Sequence, residues 1–139
     1  MSNDLIFRNP PYLPGKGAKP NLPHATTALS EQNASSHEIF QLGFACHTRA
    51  YYWEAHELWE SLWHLQIPPI KDLIKILIQR SAAELKILQN DREAANRLFR
   101  TALLSLRTMQ LKEPHWLGVD WHKIALELES KLQGEARST

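Results

Sequence analysis

The chain is short of the residues that usually announce a function. Among its 139 residues there is one cysteine, Cys46. A lone thiol excludes an internal disulfide framework and any thiolate-rich zinc site. Net charge is almost absent: sixteen lysines and arginines against fifteen acids leave +1. That balance argues against a dedicated nucleic-acid binder, whose affinity rests largely on neutralising phosphates. No apolar run reaches the roughly eighteen residues of a membrane span, and no charged-then-apolar leader opens the chain. A soluble, cytoplasmic protein with no membrane partner is therefore expected. There is no phosphate-binding glycine loop and no Gly-x-Ser-x-Gly elbow. Nothing alternates with period two for long enough to make a strand.

What is present is globular material. Hydrophobic residues at 43% and charged residues at 22% fit one folded domain, which at this length buries a core without staples. The excess lies in five tryptophans and seven histidines.

Residues 1–35 differ from the rest, since five of the eight prolines (Pro10, Pro11, Pro14, Pro20, Pro23) fall there. Proline fixes φ and removes a donor, so this stretch is expected to be an arm rather than a helix or central strand. Leu5, Ile6, Phe7, Tyr12, Leu13 and Leu22 give residues 5–23 apolar anchors to lie extended across the remainder, a bundle over 36–134. Ser35 with Glu38 fits a capping box opening a first helix. A bend at 47–50 separates it from a second helix over 51–65, which stops before Pro68-Pro69. A third helix is expected over 70–89. Asn90 with Glu93 reads as the capping box of a fourth, to about residue 110. Gly118 and Asp120 make a turn before a last helix over 121–132. The fold class is all-α, a small bundle of four to five helices with an extended proline-rich N-terminal arm.

Chemistry concentrates in the second helix, Tyr52-Trp53-Glu54-Ala55-His56-Glu57-Leu58-Trp59-Glu60-Ser61-Leu62-Trp63. At about 100° per residue, His56 and Glu60 share one face. Trp59 and Trp63 flank them, and Arg49, Trp53 and Glu57 extend that side. Glu54 is expected to point elsewhere, toward solvent or a groove mouth. Three readings compete. His56-Glu57-x-x-Glu60 resembles the zinc-protease helix His-Glu-x-x-His with its second histidine replaced, so His56 and Glu60 are candidate metal ligands and Glu57 stands at the general-base position. His47, His64, His115 and His122 are further histidines without a helpful spacing. A His–Glu acid–base couple is the second reading. The third, which leads, is a structural or ligand-binding network. It requires His56 and Glu60 buried and mutually satisfied, with the tryptophan N–H groups finding acceptors.

Charge is uneven along the chain. From Lys71 to Arg100 there are seven bases against four acids, whereas the second helix carries Glu54, Glu57 and Glu60. Pairing between the acidic second helix and the basic third and fourth explains this better than an RNA partner. Cys46 and His47 are adjacent on a helix and so do not face each other, which argues against a Cys–His nucleophile.

The run Trp53-Glu54-Ala55-His56-Glu57-x-x-Glu60-x-x-Trp63 resembles the signature of the domain of unknown function 309 family. Leu77-Ile78-Gln79, Ala82-Ala83, Lys86 and Leu117-Gly118-Val119-Asp120 are similar to its downstream elements, and Tyr12-Leu13-Pro14-Gly15 to an element of one branch. The sequence departs at Ala50 and Ile76, where the family favours glycine, and at Ala18-Lys19-Pro20, where the branch has Pro-His-Pro. The resemblance implies a compact helical bundle with His56, Glu57, Glu60 and Trp63 at a shared polar centre, and implies no reaction. The expected role is a non-enzymatic binding or assembly module with no committed cofactor. It is a possible homo-oligomer, with Trp116 and Trp121 as contact surface. The alternative is a metal-dependent or acid–base hydrolase using the same cluster.

Overall fold

A computed structural model describes the backbone of residues 4–138 and the side chains of residues 5–132. Five α-helices carry the fold: α1 (Glu38–Thr48), α2 (Tyr52–Trp63), α3 (Ile70–Leu88), α4 (Arg92–Thr108) and α5 (Trp121–Ser138). Each packs on the next except that a small hairpin, β1 (His115–Trp116) and β2 (Val119–Asp120), precedes α5. That hairpin was not expected from periodicity, because two-residue strands are too short to alternate. Leu117 (φ 59°) and Gly118 (φ 72°) both take the left-handed conformation that a two-residue hairpin turn requires.

Local chemistry sets the helix ends, not always where the spacing predicted. The cap of α1 is His37 rather than Ser35: its Nδ1 accepts from the Phe40 N–H at 3.3 Å, while its Nε2–H donates to Thr27 O at 2.7 Å. The cap of α4 is Asp91, which accepts from the Ala94 N–H at 3.0 Å. Asn90 instead closes α3 with φ 59°, a position asparagine tolerates better than most residues. The break between α1 and α2 falls where a bend was expected, and Ala50 makes it with φ 65°. A 3-10 helix over Asp4–Arg8 replaces extended chain at the start of the N-terminal segment.

The core lies between the inward stripes of the helices. Leu58, Trp59 and Leu62 of α2 meet Leu73, Ile74, Ile76 and Leu77 of α3, and all are fully buried. Phe99, Ala102 and Leu106 of α4 and Trp121, Ile124 and Leu128 of α5 complete it. Leu29 and Ala34 also join this core, so apolar packing reaches back before α1. Trp121 is therefore core and not spare contact surface, being 1% exposed, with its indole N–H donating to Trp116 O at 3.0 Å.

Candidate functional site

The second helix divides its residues sharply between two faces. Inward go Glu54, Ala55, Leu58, Trp59 and Leu62. Outward, one turn apart, stand His56 and Glu60, with Glu57 beside them. Glu57 Oε1 lies 3.5 Å from His56 Nδ1, and Glu60 Oε2 lies 3.6 Å from His56 Nε2. The imidazole is thus bracketed by two carboxylates at ion-pair rather than hydrogen-bond distance. Side-chain exposures of 27% for His56, 41% for Glu57 and 44% for Glu60 place the group at the surface. The buried, mutually satisfied network that led the sequence reading is not what these three residues form. Helix geometry is the reason: α2 has one inward stripe, and the apolar residues and Glu54 occupy it.

One ligand atom from each of His56, Glu57 and Glu60 can be chosen so that all lie within 4.8 Å of one another. Among the described residues this is the one such His/Cys/Asp/Glu group. The third donor that spacing did not supply is therefore Glu57. The other histidines stay apart: His47 Nδ1 meets Ser81 Oγ at 2.7 Å, His64 packs edge-on to Trp63, and His115 Nε2 lies 3.6 Å from Asp120. His122 is exposed on α5.

The tryptophans do not frame the cluster as a set. Trp59 is fully buried, its N–H donating to Phe40 O at 3.2 Å and its ring edge-on to Phe44. Trp53 is half-buried against the Tyr12 ring, 4.6 Å between centroids. Trp63 is half-buried under the Lys71 ammonium, 4.1 Å from its ring centre, and its buried N–H has no partner. Arg49, expected on the cluster side, stacks on Phe7 at 4.0 Å.

Glu54 overturns its expectation. It is 2% exposed, with Oε2 accepting from the Tyr12 backbone N–H at 2.9 Å and Oε1 unpartnered. Burial pushes its carboxyl above the usual range, against the opposing pull of that hydrogen bond. The same environment silences Cys46: burial, then the nearby Glu54 carboxylate, pushes the thiol up to about 12. A thiol held neutral is no nucleophile.

A second polar centre escaped the sequence reading. Arg80 of α3 and Arg107 of α4 pair with acids of α5, not with the acids of α2. Arg80 of α3 holds Glu127 through Nε at 2.5 Å and Nη2 at 3.3 Å, and Lys131 reaches Glu84 at 2.8 Å. Arg107 of α4 pairs with Glu129. The signal that was available is that Arg80/Glu84 and Glu127/Lys131 are both i, i+4 pairs of opposite sign on facing helices. Beside them, burial first and then the Arg80 and Lys131 charges lower the His47 imidazole to about 3. Burial and then Glu84 push the Tyr52 phenol up.

Fold and site together define a five-helix bundle that presents a His/Glu group on the outer face of its second helix. Residues 40–98 match the family described as Domain of unknown function (DUF309), so the chain carries a DUF309 domain that includes the whole of α2 and α3. No curated protein matches the chain, and no solved structure does. Among the described residues, no helix is long and apolar enough to cross a membrane.

Proposed function

We propose that this protein is a non-enzymatic binding module whose contact point is the His56/Glu57/Glu60 face of α2, and that this face takes a divalent cation. The observation that carries the reading is the convergence of three donor atoms within 4.8 Å at positions open to solvent on a regular helix. The group adds nothing evident to the core, so its side chains are available to a ligand. Two carboxylates beside one imidazole supply O and N donors suited to zinc or a similar ion.

A titration of Zn²⁺ into the full chain tests this by calorimetry. One ion per chain is expected, with uptake lost in His56→Ala and sharply reduced in Glu60→Gln. Absence of saturable uptake by the parent chain overturns the proposal. Because His56 is partly exposed, His56→Ala is expected to leave the melting temperature nearly unchanged, which separates a lost ligand from a lost fold.

The second reading is a metal-dependent hydrolase. It is favoured by the same three donors, since a three-residue set leaves coordination positions for water and substrate. Metal-dependent turnover of a simple ester or phosphoester, abolished in His56→Ala, would replace the first reading with the second.

A further inference from the structure

We infer that the junction of α1 and α2 is a binding site for an extended, proline-rich peptide, and that the chain's own residues 7–12 occupy it in this structure. The inference uses neither the His56 group nor a cation. It starts from how the segment is held. Phe7 lies edge-on to Tyr51, 5.0 Å between ring centres, and the Arg49 guanidinium stands 4.0 Å from the Phe7 ring centre. The Tyr51 O–H donates to Asn9 O at 2.5 Å. Glu54 accepts from the Tyr12 N–H at 2.9 Å, and the Tyr12 ring lies edge-on to Trp53. In these contacts the bundle contributes side chains, while the segment contributes two rings and two backbone groups.

That division of roles is how a surface reads a peptide: backbone groups fix the path and a few side chains fix the register. Between the two rings, Arg8, Asn9, Pro10 and Pro11 are all exposed. The prolines serve the path. Their rings fix φ, and Asn9 and Pro10, each preceding a proline, are pushed toward extended backbone. A segment that is extended beforehand loses little entropy on being seated, which is why aromatic-lined surfaces take proline-rich chains.

Two observations make residues 7–12 a replaceable occupant rather than a wall of the fold. Among the described residues no side chain before Leu29 is buried, and Phe7 packs on the core only partly buried. The second is the state of Glu54. It is 2% exposed and its carboxylate faces the segment, yet Tyr12 supplies a donor to Oε2 alone and Oε1 has none. A buried acceptor left without a donor is costly. The built-in segment therefore meets this acceptor by half, and a peptide that donates to both oxygens displaces it.

Hydrogen exchange on the full parent chain is the first test. The Tyr12 amide is expected to exchange roughly a hundredfold faster than that of Leu77 in the core of α3, because the segment opens while the bundle stays folded. The second test titrates a fluorescent synthetic peptide of residues 4–14 into the full chain with a chelator present. The double variant Phe7→Ala/Tyr12→Ala should bind it roughly tenfold more tightly than the parent, whose tethered segment competes at high effective concentration. Adding Tyr51→Phe to that variant should weaken binding by about fivefold, the worth of one hydrogen bond. A peptide carrying Pro10→Ala and Pro11→Ala should also bind more weakly. A double variant that no longer folds, or a Tyr12 amide as slow as that of Leu77, makes the segment part of the cooperative core and overturns the inference. A folded double variant that takes up no peptide overturns it too, as does uptake indifferent to both Tyr51→Phe and the loss of the prolines.

Discussion

The carboxylate of Glu54 accepts a hydrogen bond from the backbone N–H of Tyr12 across 42 residues of sequence, at 2.9 Å. This contact ties the segment before the bundle to the most buried acid of α2. Its neighbours reinforce it: Tyr51 O–H donates to Asn9 O at 2.5 Å, and the Tyr12 ring lies edge-on to Trp53. The N-terminal residues are thereby held on the junction of α1 and α2.

Glu54 links that attachment to pH. Its folded carboxyl titrates above the ordinary 4.5, so the protonated form is favoured by folding. The stability it contributes is full below 4.5 and is lost as pH rises through the raised folded value. Denaturant melts from pH 4 to 8 should therefore show Glu54→Gln gaining on the parent chain as pH rises. Glu54→Ala removes the acceptor for Tyr12 and should cost about 1–3 kcal/mol.

His47 works in the opposite direction. Its imidazole falls to about 3 in the fold, below the ordinary 6.5, so the neutral ring is favoured. Its contribution is present above 6.5 and is lost as pH falls toward about 3. Between those limits the slope approaches about 1.4 kcal/mol per pH unit. Unfolding free energies between pH 4 and 7 should flatten in His47→Gln.

Gly43 should resist the substitution that usually strengthens a helix. A Cβ there would sit 2.3 Å from two atoms of the Trp59 indole, which is fully buried and has nowhere to move. Gly43→Ala is expected to destabilise by about 1–3 kcal/mol despite alanine's better propensity. A thermal melt checks the sign.

Ala50 should show the reverse. Its φ of 65° is a left-handed conformation that costs a residue with Cβ roughly 1–2 kcal/mol. Ala50→Gly is expected to raise stability by about 1 kcal/mol at most, net of the entropy of the freer unfolded chain.

Much of this was legible along the chain because it is local. The helical period of Leu73, Ile74, Leu77, Phe99, Leu103 and Leu106 depends only on neighbours three and four residues away, and all six are buried. The His56/Glu60 pairing was legible for the same reason. The caps went partly astray because His37 and Asp91 compete with Ser35 and Asn90 for adjacent positions, and backbone angles decide between them. Which acid meets which base was not legible either. Glu57 and Glu60 face their own histidine, while Arg80, Glu84 and Arg107 find partners on α5, more than twenty residues away.

The sequence by itself determined that this protein is a helical bundle and that one turn of α2 gathers a histidine with two glutamates. Both follow from a 3.6-residue repeat, which needs no knowledge of the rest of the chain. Only the tertiary structure decided that Glu54 and Trp59 go inside while His56, Glu57 and Glu60 stay out. A helix has one buried stripe but no intrinsic inside. Which stripe is covered depends on where the neighbouring helices and the N-terminal segment lie, and those contacts join residues far apart in the chain.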